Sequence, residues 1–239
     1  ADPAGQWDAD MMGRRIFEEP LRVIHCSSTD LPPENDHSTS LGRHLAGCRI
    51  GFDLGGSDLK IASLVEGKTV FSEEIVWDPI PQKDPQWHYE HIMRALKIAG
   101  SKMPRVDAIG GSAAGVYVDN QVKVASLFRS IPEELFEKRV RGMFLEMQRA
   151  WGDIPFVVVN DGEVTALAGS MNLEQNAVLG IAMGTNQAAG FVTPSGQITP
   201  WLNELAFVPV DYRKNAPADE WSGDLGCGVQ YFSQQAVAR

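Results

Sequence analysis

From residue 49 onward, short apolar stretches are punctuated by glycines. Ile50-Gly51-Phe52-Asp53-Leu54 is an apolar strand that runs into Gly55-Gly56-Ser57. Residues 59–65 and 69–76 alternate apolar and polar positions, which predicts two more strands with Glu66-Gly67 as their hairpin turn. Residues 84–103 predict a helix, with Trp87, Ile92, Leu96 and Met103 spaced broadly for one face. A strand over 106–110 follows, then a hairpin of 116–118 and 122–124 around Asp119-Asn120. Residues 132–151 predict one long amphipathic helix with Pro132 at its start. A buried strand over 156–159 leads into a helix of small residues over 161–172. Residues 177–183, 187–193 and 197–198 predict a second strand–turn–strand series, and a last helix covers about 228–238.

This order is α/β without being a simple Rossmann repeat, because the early consecutive strands are joined by tight turns. Residues 1–48 are polar and rich in Pro, Asp and Ser around 27–40, with only 21–24 strand-like. They read as an N-terminal extension that packs on the domain without founding it.

Composition narrows the function classes. A chain of 239 residues, 44% hydrophobic and 22% charged, is ordinary globular material. A net charge of −10 repels nucleic-acid backbones. It leaves room for a local phosphate pocket built from backbone N–H groups and a metal ion. Cys26, Cys48 and Cys227 are widely separated and odd in number, so the expectation is a reducing compartment without disulfides. No apolar run has the length of a membrane span and none forms a signal core, which makes the cytoplasm the expected location.

Three motifs carry candidate chemistry. Asp53-Leu54-Gly55-Gly56-Ser57-Asp58-Leu59-Lys60 puts a carboxylate at a strand end beside glycines. That pattern suits phosphate held by backbone N–H groups and Mg²⁺ held by Asp53, directly or through water. An ordinary Gly-Gly turn with a capping Asp reads the same way. Asn160-Asp161, after the apolar 156–159, sits at a strand's carboxyl end, where α/β folds place ligands. Asp161 can accept a hydroxyl proton and Asn160 can bond a substrate, yet Asn and Asp are equally the favoured helix N-caps. Gly184-Thr185 ends another strand and suits a second phosphate contact, or a plain hairpin.

In this order the motifs resemble the sugar kinases of the actin/hexokinase/heat-shock ATPase superfamily, and most closely the ROK (repressor, open reading frame, kinase) family. The resemblance covers about residues 49–239. Asp53 to Lys60 is similar to that family's Asp-x-Gly-Gly-Thr phosphate loop, with Ser57 for threonine. Residues 109–115, ending at Gly115, resemble its sugar-side loop. Asn160-Asp161 matches the pair whose aspartate is the family's catalytic base, and Gly184-Thr185 matches the second phosphate loop. Asn203-Glu204-Leu205-Ala206-Phe207 aligns with Gly-Glu-Ile-Gly-His, whose glutamate contacts sugar hydroxyls. Ser126 stands near a sugar-contacting asparagine.

The resemblance therefore implies an actin-like (ribonuclease H-like) lobe over 49–174 and the start of a second lobe over 175–239. It implies ATP and Mg²⁺ as cofactors and a sugar as substrate. Asp161 would be the base. Asp53, Gly55, Gly56, Ser57, Lys60, Gly184 and Thr185 would hold the nucleotide, and Asn160, Glu204 and Gly115 the sugar. Departures point to an alternative, a sugar-binding or regulatory protein with impaired turnover. Phe207 replaces a zinc- and sugar-binding histidine, Ser222 and Val229 replace a cysteine and a glutamate, and Asn186-Gln187-Ala188-Ala189 replaces a glycine-rich continuation. With Cys227 the only thiol left there, no zinc site is expected, since structural zinc takes four ligands. The paired His88 and His91 are expected to be solvated or satisfied locally. ROK kinases run on past the zinc-like segment into an adenosine-binding strand-turn and a terminal helix, so a chain ending at Arg239 is expected to lack that part. No nucleic-acid or membrane partner is expected, and a homodimer is left open.

Overall fold

Two hairpins and two parallel crossovers build the central sheet in the computed structural model, which describes residues 9–22, 24–33, 37–184, 186–201 and 204–238. The chain divides into two compact units, 42–164 and 1–41 with 165–239.

In the unit 42–164, β1 (Cys48–Leu54) is flanked by β2 (Asp58–Val65) and followed in the sheet by β3 (Lys68–Val76). Glu66 and Gly67 both take positive φ, 48° and 76°, the turn geometry that matches strand twist. Helix α1 (Pro85–Gly100) begins on Asp84, whose side chain accepts the Gln86 N–H, with Pro85 in the first turn. It leads to β4 (Ala108–Ala113), which pairs parallel to β1. The short hairpin β5 (Val116–Val118) and β6 (Gln121–Val124) comes next, and β7 (Phe156–Asn160) pairs parallel to β4. The sheet order is β3-β2-β1-β4-β7.

The core is aromatic where the parallel strands meet the helices. Phe52, Phe144 and Phe156 lie with ring centroids 6.0–6.5 Å apart. A methyl on Gly111 would sit 2.2 Å from the Phe52 ring, so only glycine lets that ring lie across β4. His88 is fully buried, with Nε2 3.0 Å from the Pro79 carbonyl, and burial lowers its pKa. His91 stacks on Trp87 with centroids 3.8 Å apart and places Nδ1 2.7 Å from the Trp87 carbonyl. Both histidines are engaged locally, as expected.

Four predicted elements differ, two of them in this part of the chain and before it. The long helix over 132–151 is broken into a turn at Glu133–Leu135, a π-helical turn at Phe136–Val140 and α2 (Met143–Ala150). The Arg141 carbonyl accepts the Val122 N–H of β6 at 3.0 Å, which takes it out of the helical ladder. The strand-like 21–24 forms no strand at its described residues. Leu21 and Ile24 are exposed there and make no ladder.

Helix α3 (Asp161–Leu173) begins at the end of β7 and continues into the other unit, where β8 (Val178–Met183) pairs antiparallel with β9 (Gln187–Val192). A small core gathers Ala166, Val192 and Ile198 with Leu41 and Leu167. Residues 197–198 contribute single bridges, from Ile198 to Val192 and to Thr39, in place of a strand. The last predicted helix is also interrupted. A 3₁₀ turn (Gly228–Gln230) precedes α4 (Gln234–Val237), which Ser233 caps. The Gly228 carbonyl takes the N–H groups of both Tyr231 and Phe232, and the Gln234 N–H goes to the Gly184 carbonyl.

Candidate active site

Parallel pairing decides where the acidic residues lie. Asp53 pairs with Ser112 across β1 and β4, and Ser112 with Val159 across β4 and β7. The three strands thus end together, delivering Asp53, Ala113 and Asn160-Asp161 to one end of the sheet, the carboxyl end that such folds use for ligands.

Ser112 donates to Asp53 Oδ1 at 2.5 Å, and Lys60 Nζ lies 3.9 Å from Oδ2. Lys60 makes its closer contact with Asp58, 2.5 Å, and so neutralises the acid that interrupts the glycine loop. That bond, then Ser57 Oγ at 2.9 Å, holds the Asp58 carboxyl below the usual range. Gly55 is committed on both sides: its N–H goes to the Asp58 carbonyl (2.9 Å) and its carbonyl takes the Trp77 indole N–H (2.8 Å). Gly56 differs, for among the described residues a methyl there would meet only Ile80 Cδ1, at 3.8 Å. The space beside Gly56 and the hard carboxylate of Asp53 fit a phosphate and a magnesium ion.

Asn160 and Asp161 occupy the sharp entry to α3. Asn160 Oδ1 accepts the Gly162 N–H at 2.7 Å, and its Nδ2 donates to the Gly115 carbonyl at 2.8 Å. Gly115 has φ 129°, and a methyl on it would meet the Val124 carbonyl oxygen at 2.3 Å, so the loop after β4 requires glycine there. The sequence treats Asn160 as either N-cap or substrate ligand, and its carbonyl group is spent on the cap. Asp161 is largely enclosed. Burial raises its pKa first, the Gly162 N–H and its own N–H oppose, and the charge on Asp53 raises it further.

Two residues escaped the sequence reading. Glu163 accepts the Asn160 N–H through Oε2 at 3.2 Å, and burial pushes its carboxyl up to about 7. A Glu three residues after an Asn N-cap is the capping-box spacing and was the available signal. Asn120, at the tip of the β5–β6 turn, donates to the Phe156 carbonyl (2.7 Å) and accepts the Val158 N–H (2.9 Å). Its amide therefore mimics a strand against the outer edge of β7. No local pattern announces that pairing.

The remaining predicted residues belong to the unit formed by 1–41 and 165–239. Gly184 has no atom within 4 Å of an added methyl among the described residues, and its N–H goes to the Asn186 carbonyl at 2.9 Å. Thr185 and Asn203 lie outside the described residues. Glu204 is half-buried at the turn preceding Phe207. Phe207 is buried edge-on against Trp221, ring centroids 5.6 Å apart. Cys227 is enclosed, its thiol donating to the Asp224 carbonyl at 3.2 Å. No three potential metal ligands cluster among the described residues. The residues present here do not fit a zinc ion.

No family model matches the chain, and no curated protein matches it. Among solved structures it resembles a ROK family transcriptional regulator, a homologue of the E. coli MLC protein, at 20% identity and TM-score 0.61, over 81% of this chain and 48% of the other. It resembles the ROK hexokinase of Thermus thermophilus at 18% identity and TM-score 0.57, over 80% and 61%. The inorganic polyphosphate/ATP-glucomannokinase of Arthrobacter sp. strain KM matches at 18% identity and TM-score 0.58, over 81% and 71%. The chain thus spans about half of the first of these proteins and under two thirds of the second. With a mixed α/β core whose sheet holds β1, β4 and β7 in parallel, this chain has the actin-like ATPase fold in the form found in ROK kinases and regulators.

Proposed function

We propose that the chain provides the base and phosphate side of a site for phosphorylating a sugar hydroxyl. The observation that carries this reading is the meeting of Asp53 and Asp161 at one end of three parallel strands, close enough for the charge of one to raise the pKa of the other. Asp161 accepts the proton of the attacking hydroxyl. Its raised pKa makes it a stronger base once ionised. Gly56 and Ser57 offer backbone N–H groups to phosphate, and Lys60 adds positive charge. Asp53 and its Ser112 hydrogen bond suit a magnesium ion. When bound, Mg·ATP supplies the phosphoryl group and the charge that neutralises it. Asn160, beside Asp161 at the end of β7, is assigned to the sugar. Catalysis on this reading is positioning and charge neutralisation.

Asp161→Asn keeps shape and one oxygen while removing the base. Sugar affinity should change little while turnover falls by roughly two to four orders of magnitude. Ser57→Ala should cost far less. Unchanged turnover in Asp161→Asn would make Asp161 a helix cap only.

A second reading is a sugar-binding regulatory protein with impaired turnover. It is favoured by Phe207, packed on Trp221 where the resembled family has a sugar-binding histidine, and by the Gly55 N–H, spent within its own turn. Calorimetric binding of glucose or mannose, with no turnover on any nucleotide or polyphosphate, would establish it over the first.

A further inference from the structure

Asp161 is the second residue of a turn closed from both sides. Asn160 Oδ1 takes the Gly162 N–H at 2.7 Å, and Glu163 Oε2 reaches back to the Asn160 N–H at 3.2 Å. This is a reciprocal cap, with an acidic residue three places after the capping one. It differs from an ordinary helix start in what else it grips. Asn160 Nδ2 donates at 2.8 Å to the carbonyl of Gly115, a residue whose backbone admits no side chain. The start of α3 is therefore tied to the loop leaving β4, and Asp161 stands between the two ties.

We propose that Glu163 is the positioning residue of this site: by holding the Asn160 N–H it fixes the turn that aims the Asp161 carboxylate and tethers the Gly115 loop. Glu163 acts through Asn160 and need not touch the sugar. Burial, which pushes its carboxyl up to about 7, fits a side chain folded inward onto the turn, where an exposed capping glutamate would stay in water. The catalytic part of this inference rests on the reading of Asp161 as base. The positional part does not.

The experiment compares E163Q, E163A and D84A in the full chain. Glu163→Gln keeps an acceptor oxygen and Glu163→Ala removes it. Asp84→Ala removes the cap of α1, whose side chain accepts the Gln86 N–H at 2.9 Å away from the site, and controls for general loss of a helix cap. Amide hydrogen exchange is read first, without any substrate. Asn160 and Gly162 should lose protection in E163A, keep most of it in E163Q and be unaffected by D84A. Turnover of glucose and mannose with Mg·ATP is read second. E163A should lower kcat by roughly 10- to 100-fold with KM nearly constant, the scale of a misaimed catalytic group. E163Q should stay within about threefold of wild type, and D161N/E163A should be no slower than D161N alone. Unchanged protection of Asn160 in E163A overturns the proposal outright. Lost protection with unchanged kcat reduces Glu163 to an ordinary cap and overturns its role in aiming Asp161. Absence of turnover in the wild type overturns the kinase reading, while the exchange data still decide whether Glu163 holds the turn.

Discussion

The carboxylates of Asp53 and Asp161 sit at the ends of β1 and of β7, separated in the sheet by β4, and the charge on Asp53 holds the Asp161 proton more tightly. Burial raises the Asp161 pKa most, and the charge on Asp53 adds to it. Neutralising Asp53 should therefore ease the ionisation of Asp161. In D53N, the Asp161 carboxyl should titrate at lower pH than in wild type, a shift that carboxyl-carbon NMR reads directly. Magnesium at Asp53 should act in the same direction. An Asp161 titration indifferent to D53N would separate the two residues and weaken the case for one site.

Glu163 gives stability a pH dependence of definite sign. Its folded pKa, about 7, lies above its ordinary 4.5, so the folded chain binds that proton more tightly than the unfolded chain. The contribution is complete below about 4.5 and is lost as pH rises through 7, amounting to at most about 3 kcal/mol. Asp161, also raised by burial, adds in the same sense. His88 works in opposition: burial favours its neutral form, so its contribution is present above 6.5 and lost as pH falls below it. The difference in Tm between wild type and E163Q isolates the Glu163 part. The two should diverge between pH 5 and 8, with wild type losing more on the alkaline side. Parallel curves would contradict the buried carboxyl.

The segment after Phe207 should hold its shape without metal. Asp219 Oδ2 accepts the N–H groups of Trp221 (3.0 Å) and Ser222 (2.8 Å), and Oδ1 takes the Gln230 amide at 3.3 Å. Single bridges join Ala218 to Leu225 and Pro209 to Cys227. These bonds cross-link the loop where a zinc ion would otherwise do so. A chelator should leave the melting curve in place, and Asp219→Ala should lower stability by about 1–3 kcal/mol, the usual cost of orphaning enclosed donors. One tightly held zinc per purified chain would overturn this.

Much of the first sheet was legible because its signals are local. Alternation set β2 and β3, Glu66-Gly67 and Asp119-Asn120 fixed their turns by accepting positive φ, and the apolar run before Asn160 marked β7. That Asp53 and Asp161 both stand at the carboxyl ends of strands was legible too; the register that brings those ends together is stated only by the parallel pairing. Residues 132–151 were misread for the same reason. Their periodicity is helical, but the Arg141 carbonyl is claimed by Val122, a contact between separate elements. Asn160 was ambiguous between cap and ligand because one side chain does two jobs, bonding Gly162 and Gly115 together. Glu163 was overlooked beside its more conspicuous neighbour Asp161, although its spacing from Asn160 is a recognised one.

Asn120 offers the sharpest test of how the site is supported. β7 lies at one border of the five-stranded sheet, so its outer backbone groups need partners other than a strand. The Asn120 amide serves two of them, the Phe156 carbonyl and the Val158 N–H, in the manner of a neighbouring residue in a ladder. Its own backbone takes φ 61°, a conformation that Asn tolerates better than most residues. Asn120→Ala should remove both bonds and strain the turn, lowering stability by about 1–3 kcal/mol. Asn120→Gly relieves the strain but not the loss of bonds, so it should recover only part of that. Because β7 delivers Asn160 and Asp161, amide exchange in both variants should rise at Val158 and extend toward Asn160, while β2 and β3 stay protected. Equal loss of protection across the whole sheet would mean that the amide supports global stability alone, with no particular hold on the strand that ends at the site.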